Sequence, residues 1–257
     1  MSFSGRGRNA GDKVSVRGLK PERRKLLKGA ASAEEIISEM KASASPANAE
    51  GMAKFGINPE GTLGIPVPLV RAMAKEIGVD HRLAQELWAS GVHEARILAC
   101  LIDDPEMVDE RQMEGWARDF DSWDVCDQVC SNLFDRTRFA GRKAAEWTGR
   151  EEEFVKRAGY VLMAALSVHD RSARDDVFIG FLPLIRKGAT DDRNFVRKAV
   201  NWALRQIGKR NRELNRRAID AAERIGRMDS ASARWIAADA LRELKSEAVQ
   251  RRICRIR

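Results

Sequence analysis

Phe154-Val155-Lys156-Arg157-Ala158 recurs forty-one residues later as Phe195-Val196-Arg197-Lys198-Ala199. Both copies continue in helical register, the first through Leu162-Met163-Ala164-Ala165-Leu166 and the second through Ala203-Leu204-Arg205-Gln206-Ile207. In the first, Phe154, Ala158, Leu162 and Ala165 fall on one stripe. In the second the stripe is Val196, Ala199, Val200, Ala203 and Ile207. Apolar residues three and four apart are the signature of a half-buried helix. Weaker echoes stand at 94–99 and 233–238.

A period near forty residues with two helices per unit is the HEAT-like pattern. Such units cannot bury their apolar faces alone, so they stack into a curved solenoid with one concave side. From Ala33 onward helical periodicity is almost unbroken, and no stretch alternates with period two long enough to make a strand. Turn residues at 43–46, 58–61, 103–105, 148–149 and 188–191 divide the chain into roughly a dozen helices. The expected fold is all-α: residues 32–257 as a single HEAT-like repeat domain with a concave basic face, preceded by a flexible basic arm over 1–31.

The 257 residues can bury a core without disulfides or a structural metal. The longest apolar run, 160–168, is too short to cross a bilayer. Residues 1–6 lack the apolar core of a signal peptide, so a cytoplasmic location is expected. The cysteines at 100, 126, 130 and 254 form no CxxC pair, and the histidines at 81, 93 and 169 lie far from them in sequence. The expectation is buried, reduced cysteines, no metal and no cofactor.

Charge is unevenly spread. The net is +8, but 1–31 carries +7 and 193–257 carries +11, which leaves −10 between them. Two basic ends on an acidic body suggest a polyanionic partner, nucleic acid first. A basic face kept for solubility reads the same from charge alone.

The helix opening at Ser122, a favourable N-cap, carries Trp123 and Asp127 about 40° apart on one face. Asp124 in its first turn complements the helix dipole, whereas Asp127 lies beyond that turn and gains less from it. Farther along, Trp202 sits on the flank of its helix that carries Lys198, and Arg157 occupies the corresponding flank of the preceding repeat. Stacked in register, Arg157 and Trp202 should face the same side.

These residues resemble the AlkD-type alkylpurine DNA glycosylases, a family built from HEAT-like repeats. The resemblance spans roughly 50–245. It rests on Gly64-Ile65-Pro66-Val67-Pro68-Leu69-Val70-Arg71, on Glu86-Leu87-Trp88 with Glu94-Ala95-Arg96, and above all on Ser122-Trp123-Asp124-Val125-Cys126-Asp127. It implies that Asp127 is the catalytic carboxylate, that Trp123 and Trp202 frame the lesion, and that Arg157 contacts DNA. Lys198 and Arg205 would hold phosphates beside it. Where family members often place an aromatic before the Gly-Ile-Pro segment, this chain offers only Phe55, and 58–62 is an insertion.

The resemblance implies hydrolysis of the N-glycosidic bond of positively charged N3- or N7-alkylated purines in duplex DNA. It implies no β-lyase step and no swinging of the base into a deep pocket, and the protein would act as a monomer. The alternative is a non-catalytic HEAT-repeat binder of DNA or of protein.

Overall fold

The computed structural model describes residues 32–255. The basic arm expected over 1–31 lies outside them. Fourteen α-helices run through the described residues. Three come first: α1 (Ala33–Ala42), α2 (Pro46–Ala53) and α3 (Val67–Ile77). Five helix pairs follow: α4 (His81–Ala89) with α5 (His93–Ile102), α6 (Glu110–Arg118) with α7 (Trp123–Asn132), and α8 (Ala140–Trp147) with α9 (Glu153–His169). The last two are α10 (Asp175–Gly188) with α11 (Asn194–Gly208), and α12 (Arg212–Gly226) with α13 (Ala231–Leu244); α14 (Glu247–Arg255) follows them. Side-chain caps at Ser32, Ser45, Asp80, Asp109, Asn211 and Ser230 start six of these helices, each accepting a backbone N–H three residues on.

The second helices of the pairs, α5, α7, α9, α11 and α13, pack each on the one before and form a continuous inner row. The result is the all-α solenoid that the repeated stretch predicts. Its period is not uniform. Inner helices begin at 93, 123, 153, 194 and 231, so the unit is 30 residues long twice and then lengthens to 41 and 37. The cause is helix length: α7 and α8 have 10 and 8 residues, whereas α9 to α11 have 17, 14 and 15.

The apolar run at 160–168 is explained by position. Helix α9 packs on α7, α8 and α11 and touches α6 and α10, so nearly every side of it is covered. Arg157 to Ser167 are buried without a break. The expected stripe on α11 is wholly buried, and each fully buried Val or Ile contributes about 1.5–3 kcal/mol. The outer row is joined by aromatic rings: Trp88 and Trp116 stack with centroids 4.0 Å apart, and Phe134 links Trp116 to Trp147.

Three cysteines are buried, as expected. Cys254 is not; it lies exposed on α14, the terminal helix.

Candidate functional site

The polar face of α7 carries Asp124, Asp127, Gln128 and Ser131, spaced i, i+3, i+4 and i+7, with Trp123 at its start and Asn132 at its end. These side chains line a cleft of about 630 Å³. Ile65, Pro66, Val67 and Arg71 form the opposite wall, Met52 and Ile57 close one side, and Trp202 and His169 reach in from α11 and α9. Trp123, Asp127 and Trp202, separated by up to 79 residues in sequence, therefore share one cleft.

The wall at 63–67 is held by a buried glutamate. Glu94, on α5, accepts hydrogen bonds from the amides of Leu63, Gly64 and Ile65 at 2.9, 2.7 and 3.0 Å. Gly64 has φ +76, and a Cβ there would stand 2.2 Å from the Ser45 carbonyl oxygen, so only glycine fits. In the sequence Glu94 stands only in a helical echo and in the Glu94-Ala95-Arg96 stretch of the resemblance, with no role of its own. An acid fully buried on an otherwise apolar helix face is the signal that it has backbone donors to satisfy.

Asp127 is met from behind by Arg157. The guanidinium donates from Nε to Oδ1 at 2.9 Å and from Nη2 to Oδ2 at 2.8 Å, while Nη1 donates to the Phe195 carbonyl at 2.5 Å. Burial pushes the Asp127 carboxyl up; the charge and hydrogen bonds of Arg157 oppose that rise without cancelling it, and Asp124 adds to it. The bidentate guanidinium favours the anionic form against that burial.

The expected phosphate contact by Arg157 is therefore corrected. The side chain is buried, lies beneath the cleft floor and has every nitrogen engaged. The reason lies in the repeat register: Asp127, Arg157 and Lys198 each stand five residues after their helix N-cap, so they are neighbours along the inner row. Arg205, expected to hold a phosphate, is partly exposed and ion-paired. It pairs with Asp239 at 3.1 Å and Glu243 at 2.8 Å on α13. Lys198 is exposed, one turn before Trp202, with no ion-pair partner among the described residues.

Ser122 is the N-cap of α7 by position, yet its hydroxyl does not cap the helix; it accepts the amide of Asn58 at 2.9 Å. Asn58 also donates to Asp121 at 2.8 Å, so the insertion at 58–62 docks on the start of α7. Trp123 Nε1 donates to the Phe55 carbonyl at 3.1 Å, which fixes the indole at the cleft edge. The Phe55 ring itself is 68% exposed on the rim, and Met52 and Ile57 supply the apolar wall there. Gly56 has φ +80 and abuts the Phe195 ring, where a Cβ would approach to 2.5 Å.

Three further groups escape sequence reasoning. Arg71 donates to Gln128 at 2.9 Å and to Asn132 at 3.2 Å, bridging the two walls. His93, almost fully buried, lies 2.9 Å from Asp124 Oδ2; burial opposes its charge, but Asp124, with Glu94 and Asp121 nearby, leaves the ring's pKa raised. His169 pairs with the buried Asp135 at the far end of the cleft. Among the described residues no group of three His, Cys, Asp or Glu side chains is placed to hold a metal ion.

No curated protein matches the sequence. A solved structure described as "a new family of proteins related to the HEAT-like repeat DNA glycosylases with affinity for branched DNA structures" is similar in fold. Its TM-score is 0.69 at 18% identity, over 81% of this chain and 93% of that one. The family described as "DNA alkylation repair enzyme" matches residues 36–244, a span holding all five helix pairs and every side chain of the cleft. The chain belongs to that family, the DNA alkylation repair enzymes.

Proposed function

We propose that the protein is a monofunctional DNA glycosylase that hydrolyses the N-glycosidic bond of N3- and N7-alkylated purines in duplex DNA. Such a base already carries positive charge and departs as a neutral purine, so no acid is needed to protonate it. What the reaction requires is an anion facing the sugar as C1′ becomes cationic, and a positioned water. The observation that carries the proposal is a carboxylate, Asp127, held by both oxygens on an arginine and opening on a cleft lined by two indoles.

Asp127 supplies the anion. Its two oxygens together offer about four lone-pair directions, and Arg157 takes two of them, so acceptor capacity remains for a water or a sugar C–H edge. Arg157 is a positioning residue: it fixes the carboxylate plane and opposes the pull of burial toward the protonated form. Trp123 and Trp202 present π faces to a cationic sugar, an interaction worth about 0.5–2 kcal/mol each. Lys198, exposed beside Trp202, is placed for a phosphate. A nucleotide held near the duplex, as the resemblance implies, would meet these side chains from the cleft mouth.

The test is release of 7-methylguanine and 3-methyladenine from duplex treated with a simple methylating agent. Free base and abasic sites accumulating together, without strand scission, are expected; no release above the uncatalysed background overturns the assignment. A second possibility, a non-catalytic DNA binder, is favoured by one observation: both Asp127 oxygens are already held by Arg157. It predicts duplex affinity without base release.

A further inference from the structure

A second groove, of about 1070 Å³, opens at the C-terminal ends of α9 and α11. It lies at the same end of α9 as one edge of the cleft: His169 lines the cleft, and Ser167 and Val168 line the groove. Its cations are Arg171, Lys209, Arg210, Arg212 and Arg252, and its acids are Asp175 and Glu213. Both acids are occupied. Asp175 accepts from Asn211, and Glu213 pairs with Arg216 and Arg217, outside the groove. Lys209 is paired with Glu243, and Arg210 donates to the carbonyls of Ser167 and Ala173.

Three arginines remain. Arg171 and Arg252 are exposed and have no side-chain partner among the described residues, and Arg212 has only the Cys254 sulfur at 3.4 Å. Three guanidiniums without ion-pair partners round one groove suit a row of phosphates. Arg252 comes from α14, which lies beyond the family match ending at 244, so the groove is completed by a helix outside the shared domain.

We infer that this groove binds the phosphodiester backbone of the duplex on one side of the lesion, through Arg171, Arg212 and Arg252. The inference rests on the cleft being a duplex site. Arg157 and His169 are twelve residues apart on α9, about 18 Å at the helical rise, or about five base pairs of duplex. The contact therefore lies at the flank of the damaged nucleotide and adds affinity without reading sequence.

The test measures binding of undamaged DNA to the full chain over a series of salt concentrations. It uses two ligands: a short hairpin duplex that only fills the cleft, and a duplex of about twenty base pairs. The proteins are wild type, the Arg171→Ala/Arg212→Ala/Arg252→Ala triple variant, and Arg252→Glu alone, each checked for an unchanged melting curve. On the long duplex the triple variant should lose about 0.9 of logarithmic salt slope per contact removed, and Arg252→Glu should lose about one contact's worth. Affinity for the short duplex should be unchanged. Equal slopes for wild type and triple variant on the long duplex would overturn the inference, as would equal losses on both lengths or no duplex binding at all. Base release is scored separately. Slopes that behave as expected without base release sink the glycosylase reading and leave the groove; base release with coincident slopes does the reverse.

Discussion

Two buried cations bridge successive repeats of this solenoid, and they differ in what surrounds them. Lys143, on the outer row, is 1% exposed and meets Glu110, Glu114 and Glu146 at 2.9, 2.7 and 2.9 Å, one carboxylate for each ammonium proton. Arg157, on the inner row, is 5% exposed and meets one carboxylate, Asp127, whose outer side opens on the cleft. The outer cluster is closed in its ion pairs, with Arg142 and Arg150 neutralising the surplus acid, although the Glu110 and Glu146 side chains are themselves partly exposed. The inner pair leaves acceptor capacity facing solvent. A buried cation whose carboxylates are all shared with other cations serves structure; one whose single carboxylate keeps acceptor capacity toward a cleft is the arrangement the proposed chemistry needs.

The comparison breaks most readily by removing each cation. Arg157→Met leaves Asp127 buried without its counter-charge. Base release at neutral pH should fall on the order of 100-fold, with stability down by about 3 kcal/mol. Lys143→Met should lower stability by a similar amount, read from denaturant unfolding, while base release per folded molecule is unchanged. If the two variants lose activity equally, the distinction between closed and open clusters fails.

Acid sharpens the same contrast because the two sites shift in opposite directions. Arg142 and Lys143 hold the Glu110 carboxyl down to about 2, so that stabilisation is present above its ordinary value of 4.5 and is lost only as pH falls toward 2. Asp127 is raised by burial, so the folded state binds its proton more tightly than the unfolded chain does. The cost of ionising it is incurred as pH rises through the window above 3.8, and its protonation on acidification stabilises the fold. On lowering the pH from 7, base release should therefore decline with an apparent pKa above the usual carboxylate range, before the unfolding midpoint moves. Activity and stability falling together would contradict this. A smaller effect is expected at the rim: Trp202→Ala should slow base release about tenfold, within the cation–π scale, with little change in duplex affinity.

Much of this architecture is legible in the sequence, because it depends on periodicity within single helices. The repeated Phe-Val stretch gives the α9 and α11 faces, and the angles on α7 give the common side of Trp123 and Asp127. Legibility stops where a side chain's partner belongs to another helix. Helical angles place Arg157 on a flank and the resemblance adds Arg205 beside it, but whether such a side chain meets solvent or a carboxylate depends on the next repeat's register. That register depends on a period that shifts from 30 to 41 residues along the chain. Ser122 shows the same limit: its local sequence is that of a cap, and a loop sixty-four residues away takes its hydroxyl. The fully buried Glu94 and the polar stripe on α7 carry signals that periodicity can show, an acid among apolar neighbours and polar residues at i, i+3, i+4 and i+7.

The central claim is that the Asp127 charge carries the chemistry, and single-turnover release of 7-methylguanine by wild type and Asp127→Asn at saturating protein tests it most directly. Asparagine keeps the shape and can still accept from Arg157, so duplex affinity should be retained while the release rate drops by about 100-fold or more. Release by Asp127→Asn at the wild-type rate would contradict the account.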